Sequence, residues 1–178
     1  MADRQLTGYF ARTMIKVGDK IPEATLYEST GFGEACPLNP NPVNTVEATK
    51  GKRVVIFALP GAYTPTCSAK HVPGYLASFD KLKEKKVDEI WCLSVNDGYV
   101  MAAWGKEQKA LGKIRFLGDG SAELTKKLGL ETDISKHGMG VRSQRYSMLV
   151  EDGVVKKLNV EQPSKFEVSN AETMLSQL

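Results

Sequence analysis
The sequence predicts an α/β protein built on a central mixed β-sheet with helices on both faces. Two patterns carry that expectation. Apolar runs of strand length alternate with amphipathic stretches of helix length, and an Asp-Gly pair near the C-terminus divides two further strand-like runs. VVIFAL, residues 54–59, is apolar on both faces and rich in β-branched residues, as a fully buried strand is. A helical stretch follows a short loop, from about Thr66 to Lys86; its tail KLKEKK reads as a solvated face, and Pro73 and Gly74 mark a kink within it. EIWCLSV is a second buried strand, after which Asp97 is placed to cap the helix GYVMAAWGKEQKA. IRFLGD gives a third strand, and SAELTKKLG a short helix with a glycine stop. RYSMLV and VVKKLNV flank Glu151-Asp152-Gly153, a strong hairpin signal. The tail SNAETMLSQL has Ser169 followed three residues on by Glu172, a capping-box pattern for a last helix. Residues 28–52, rich in Gly, Pro and Asn, read as loop. The predicted order is β-α-β-α-β-α-β-β-α, with residues 1–13 as a leader and 14–178 as one domain; no internal repeat or linker divides it.

Composition narrows the function classes. A chain of 178 residues buries a sizeable core without disulfide or metal support. Its net charge of +3 is mild and its basic residues are scattered among acids, so neither nucleic-acid nor membrane binding is indicated. No apolar run is long enough to cross a bilayer as a helix. Three cysteines, Cys36, Cys67 and Cys92, form an odd set behind a start with no signal-peptide pattern. This points to a reducing compartment, the cytoplasm, with the mitochondrion as the alternative. The opening MADRQLTGYFARTM has two arginines but also an acid and little amphipathic length, so it is a weak targeting sequence and reads equally as a flexible leader.

Cys67 is the thiol placed for chemistry. It falls just after the first buried strand and within the first turn of a helix that Pro65 is suited to open. Unpaired backbone N–H groups and the helix dipole there favour an anion, and helix N-termini promote ionisation of cysteine. The bland alternative is a small hydrophobe packed at a helix start. The neighbours favour a nucleophile: the Thr64 hydroxyl, one turn earlier, is in reach of the sulfur and of an incoming oxygen, and the Pro60 ring, which lacks a donor, can shield the pocket from water. His71, four residues after Cys67, shares its helix face and either supports the site or merely packs under the loop.

Pro60, Thr64 and Cys67 match the P-x-x-x-T-x-x-C signature of the peroxiredoxins, and PGAYTPTCSAKHVPGY resembles the type II, or atypical two-cysteine, group. The likeness extends through IKVGDKIPEA, CLSVNDGYVMAAWG, RYSMLVEDGVV and LNVE, from about Met14 to the C-terminus. The resemblance implies a thioredoxin-like fold, reduction of hydrogen peroxide and organic hydroperoxides through a sulfenic acid at Cys67, no metal or bound cofactor, and a homodimer. It also implies an arginine opposite the cysteine. Arg145, at the head of RYSMLV, matches that position, and Arg142 matches it less well.

What restores the sulfenic acid stays open. Many type II members use a cysteine in the stretch corresponding to FEVSNAE, where this chain has Val168 and Ser169 and no cysteine beyond Cys92. An external thiol, from glutathione with glutaredoxin or from thioredoxin, is the first expectation. Cys36 is the second: it lies in the loop GFGEACPLNPNP at the spacing of the resolving cysteine in similar fungal reductases. Cys92 is third, since it sits mid-strand between Trp91 and Leu93. Rival classes fit less well. A disulfide exchanger needs C-x-x-C, and Lys70 stands three after Cys67; a cysteine hydrolase lacks a group to orient His71; a zinc site lacks ligands. A peroxide sensor or chaperone-like protein on the same fold is the alternative that remains.

Overall fold
The structure is a computed structural model that describes residues 13–178. The expected leader at 1–13 lies, Thr13 apart, outside those residues. In chain order the elements are β1 (Thr25–Glu28), β2 (Asn41–Asn44), α1 (Thr45–Thr49), β3 (Arg53–Ala58), a π-helical turn (Cys67–His71), α2 (Val72–Ala77), α3 (Phe79–Glu84), β4 (Glu89–Ser94), α4 (Gly98–Glu107), β5 (Arg115–Gly118), α5 (Glu123–Lys127), β6 (Glu131–Asp133), a 3-10 turn (Ser135–His137), β7 (Val141–Ser143), β8 (Tyr146–Glu151), β9 (Val154–Val160) and α6 (Ala171–Ser176).

Seven strands form one sheet in the order β2-β1-β5-β4-β3-β8-β9, and β6 and β7 pair separately. The centre is parallel, β3 with β4 and β4 with β5, while β8 runs antiparallel to β3. The mixed α/β architecture read from the sequence is therefore present. Side chains of β3 alternate between two packed layers, so an apolar residue is needed at nearly every position. Val55 and Phe57 face a layer made with Cys67, Tyr75, Cys92, Trp104 and Met174. Val54, Ile56 and Ala58 face the opposite layer, with Trp91, Leu124, Tyr146 and Met148. The π turn, α2, α3, α4 and α6 cover the first face; α1 and α5 lie on the second.

Local expectations held where a single residue sets the geometry. Asp97 caps α4 by accepting from the Val100 N–H at 2.9 Å. Asp152 (φ 46°) and Gly153 (φ 75°) turn the β8–β9 hairpin with both φ values positive, as a type I′ turn requires.

Three expectations need correction. Residues 28–52 are not all loop, because β2 and α1 lie within them. The last helix is capped one residue later than Ser169: Asn170 accepts from the Thr173 N–H at 2.8 Å, and Ser169 is wholly buried in another role. The helix from 66 to 86 is not continuous but breaks at Ser78, between α2 and α3. At its start, Pro73 has no N–H and its ring would press on the Ala69 carbonyl in a regular α-helix. The turn before it is accordingly widened to π geometry, with the Val72 N–H donating to the Cys67 carbonyl.

Candidate active site at the start of the Cys67 helix
β3 ends at Ala58, and residues 59–64 lead into a helix that begins at Pro65. The N–H of Ser68 donates to the Thr64 carbonyl at 3.0 Å, the first bond of that helix. The N–H groups of Thr66 and Cys67 precede it and have no acceptor inside the helix. Cys67 thus stands where backbone donors and the positive helix end converge. It is wholly buried.

Arg145, just before β8, crosses to this point. Its Nη2 donates to Cys67 Sγ at 3.3 Å, and its Nη1 lies 3.0 Å from His71 Nδ1. A guanidinium has only donors, so Nδ1 must accept. His71 Nε2, 3.2 Å from the Ser169 carbonyl, must in turn carry the ring proton, since a carbonyl only accepts. His71 is therefore the neutral Nε2–H tautomer. Burial, and then the charge of Arg145, lower its pKa to about 3. The wholly buried imidazole holds Arg145 and has no free nitrogen for the sulfur. Phe166 closes this group, edge-on to His71 at 5.0 Å with its ring centroid 5.7 Å from Arg145 Cζ.

Thr64 and Pro60 complete the mouth differently from the simplest expectation. The Thr64 hydroxyl donates to the Gly61 carbonyl at 2.7 Å, so its one hydrogen is committed there and no bond to the thiol forms. The same bond leaves its lone pairs for an incoming donor. Arg142 does not reach the sulfur; its Nη1 donates to the Pro60 carbonyl at 3.3 Å and its Nε to the Met139 carbonyl at 2.8 Å. A groove of about 790 Å³, lined among others by Pro60, Lys70, Arg145 and Phe166, runs beside the site.

The other two cysteines are placed unlike one another. Cys92 on β4 is wholly buried in the same core layer as Cys67, and burial, then the neighbouring Cys67, push its thiol up. Cys36 is exposed. It sits in a small closed loop, in which Gly33 N–H donates to the Cys36 carbonyl and Leu38 N–H to the Gly31 carbonyl, each at 2.9 Å. The Lys106 ammonium over the Phe32 ring ties this loop to α4.

Sequence reasoning missed several supporting groups. Asn96 Oδ1 accepts from the Ala62 N–H at 3.0 Å and from the Ser94 hydroxyl at 2.7 Å, holding the loop before the helix from the end of β4. Its only trace in the sequence is an Asn-Asp pair after a strand. In the sequence Glu161 is only the end of LNVE, Phe166 the start of FEVSNAE and Ser169 a candidate cap; their part in the site was not legible there, because each works through a loop that folds back on it. Among the described residues no group of three or more His, Cys, Asp or Glu side chains is placed to hold a metal, and no helix is long and apolar enough to cross a membrane.

A buried cysteine at a helix start after a central strand, faced by an arginine, is the arrangement of a thiol-based redox protein, and residues 16–175 match the Redoxin family. The chain belongs to that family and, within it, to the type II peroxiredoxins: it is a thiol-dependent peroxidase. It is 49% identical to the chloroplastic peroxiredoxin-2E-2 of Oryza sativa subsp. japonica over 92% of this chain and 72% of that protein. Reduced Prx3 of Vibrio vulnificus in complex with hydrogen peroxide shares 49% identity at a TM-score of 0.84, over 92% of this chain and 99% of that one. A Burkholderia cenocepacia chain, provisionally described as a thioredoxin reductase, shares 53% identity at a TM-score of 0.89, over 93% of this chain and 99% of that one.

Proposed function
We propose that Cys67 is the residue that attacks the peroxide. The observation that carries this reading is the contact of Arg145 Nη2 with Cys67 Sγ at the start of the helix. The thiol gives its proton to the medium and attacks one oxygen of ROOH; the O–O bond breaks, RO⁻ takes up a proton to leave as ROH, and Cys67 keeps the oxygen as sulfenic acid. Arg145 and the N–H groups of Thr66 and Cys67 face the charge as it moves to the leaving oxygen. Thr64 accepts from the hydroperoxide O–H, and Pro60 walls off water.

An external thiol restores the enzyme in this reading. The first thiol displaces water from the sulfenic acid to give a mixed disulfide, and a second releases Cys67 and leaves as a disulfide. Glutathione with glutaredoxin, or thioredoxin, supplies these equivalents. Cys36 is the internal alternative, supported by its exposure; Cys92, wholly enclosed mid-strand, would require β4 to open. A homodimer fits the half-exposed Tyr63, on the loop after β3, and Tyr99, in the first turn of α4, at one end of the sheet. The cytoplasm remains the proposed location; some relatives are named as chloroplastic and others as mitochondrial proteins.

The test is peroxide consumption with each reducing system. Cys67→Ser should abolish turnover, and full activity in that variant overturns the proposal. Oxidation of Cys67 without turnover in either system would favour a peroxide sensor. Non-reducing gels after one equivalent of peroxide decide the restoring step: monomer throughout supports the external thiol, and a dimer band lost in Cys36→Ser supports Cys36.

A further inference from the structure
β9 ends at Val160, and the next residue, Glu161, has only 7% of its surface exposed although it carries a charge. Its Oε1 accepts from the N–H groups of Glu167, Val168 and Ser169, each at 2.8 Å, and from the Ser169 hydroxyl at 2.9 Å. Its own N–H donates to the Arg145 carbonyl at 2.9 Å. Burial works against the charge, yet these donors prevail and hold the carboxyl below the usual carboxylate range. The loop between Glu161 and Ser169 is thus closed by one carboxylate on the residue that begins it.

That closure fixes a carbonyl with a further task. The Ser169 carbonyl accepts from the Tyr75 hydroxyl at 2.9 Å and from His71 Nε2 at 3.2 Å. Because it takes the Nε2 proton, His71 Nδ1 is left to accept from Arg145 Nη1, and Arg145 Nη2 is turned onto Cys67 Sγ. Arg145 is therefore held at its backbone carbonyl by the Glu161 N–H and at its guanidinium by a histidine that the Glu161 carboxylate orients at one remove. We propose that Glu161 is a positioning residue for the peroxide reaction, acting on Cys67 through Ser169, His71 and Arg145. A loop anchor with a purely structural role would secure residues 161–169 without affecting how the sulfur reacts.

This inference rests on Cys67 being the attacking sulfur. The experiment measures the second-order rate constant of reduced protein with hydrogen peroxide from pH 5 to 9, for wild type, Glu161→Gln, His71→Gln and the double variant, each checked for folding by circular dichroism. Glu161→Gln should react about tenfold more slowly at pH 7, and the pH of half-maximal rate should move upward. The double variant should be no slower than the slower single variant within about twofold, since both changes break one chain. A folded Glu161→Gln with wild-type rate and unmoved pH profile overturns the inference, and so do losses that multiply in the double variant. If Glu161→Gln does not fold, Ser169→Ala, which removes one of the four donors, should shift the profile in the same direction by a smaller amount; an unmoved profile there overturns the inference as well. An active Cys67→Ser would instead strike the underlying assignment, so the two failures are distinguishable.

Discussion
Arg145 touches both Cys67 and His71 with the two arms of one guanidinium, 3.3 Å from the sulfur and 3.0 Å from the ring nitrogen, across 78 and 74 residues of chain. Two rigidly spaced donors are needed for this, which a single ammonium does not provide. Arg145→Lys is therefore expected to lose about 100-fold in the rate with peroxide, the order seen when one donor to a developing anion is removed. Stopped-flow oxidation of the reduced protein checks it; a rate within threefold of wild type would mean that charge alone suffices.

His71 gives the fold a pH dependence. In the unfolded chain its imidazole takes a proton as pH falls below about 6.5, whereas in the folded protein burial and Arg145 keep it neutral down to about pH 3. The unfolded state thus binds the extra proton between those values. Stability should be fully present above pH 6.5 and fall as the pH is lowered, by up to about 1.4 kcal/mol per pH unit. Glu89, held down to about 2 against its own burial by Lys52, Trp91 and Arg115, adds a similar loss only below its unfolded value near 4.5. Urea midpoints between pH 6.5 and 5 therefore read His71, and His71→Gln should flatten that slope.

Gly61 lines the mouth where there is little space. A Cβ there would stand 3.1 Å from both Thr64 Cγ2 and Arg142 Nη1 and 3.4 Å from Met139 Cε. Thr64 has to give way, and its hydroxyl leaves the Gly61 carbonyl. Gly61→Ala should lower kcat/KM for hydrogen peroxide about fivefold, the equivalent of about 1 kcal/mol. A bulky hydroperoxide should lose more, and equal losses for both would argue against crowding at the entrance.

Cys92→Ser separates packing from chemistry. A hydroxyl placed at this enclosed position lacks the sulfur's apolar fit, and an unsatisfied one costs about 1–3 kcal/mol. The melting temperature should fall by about 2–4 °C for each kcal/mol lost. Turnover with an external thiol should persist, and its disappearance in a folded variant would assign Cys92 a part in restoring Cys67.

How legible these features were depended on how local their causes are. VVIFAL announced β3 because both its faces are buried, and Asp152-Gly153 announced the hairpin because a two-residue turn with positive φ admits few side chains. β1 and β2 were not legible: each has four residues, both are partly exposed, and Pro42 lies inside β2. The same division runs through the site. Pro60, Thr64 and Cys67 lie close together in the chain and form a readable signature, and Arg145 was found by likeness to a family. The Glu161 clamp has no counterpart in local pattern, since four donors converge on it only after the loop has closed.

The π turn from Cys67 to His71 amounts to one residue more than an α-helical turn holds, and each residue of an α-helix corresponds to about 100° of rotation. Seen from α2, the thiol stands roughly that far around the axis from where an unbroken α-helix would carry it. Its aim at Arg145 is a matter of angular phase, imposed by a proline six residues downstream. Deleting one residue between Ala69 and Val72 would make the helix more regular and leave the sulfur facing the wrong way.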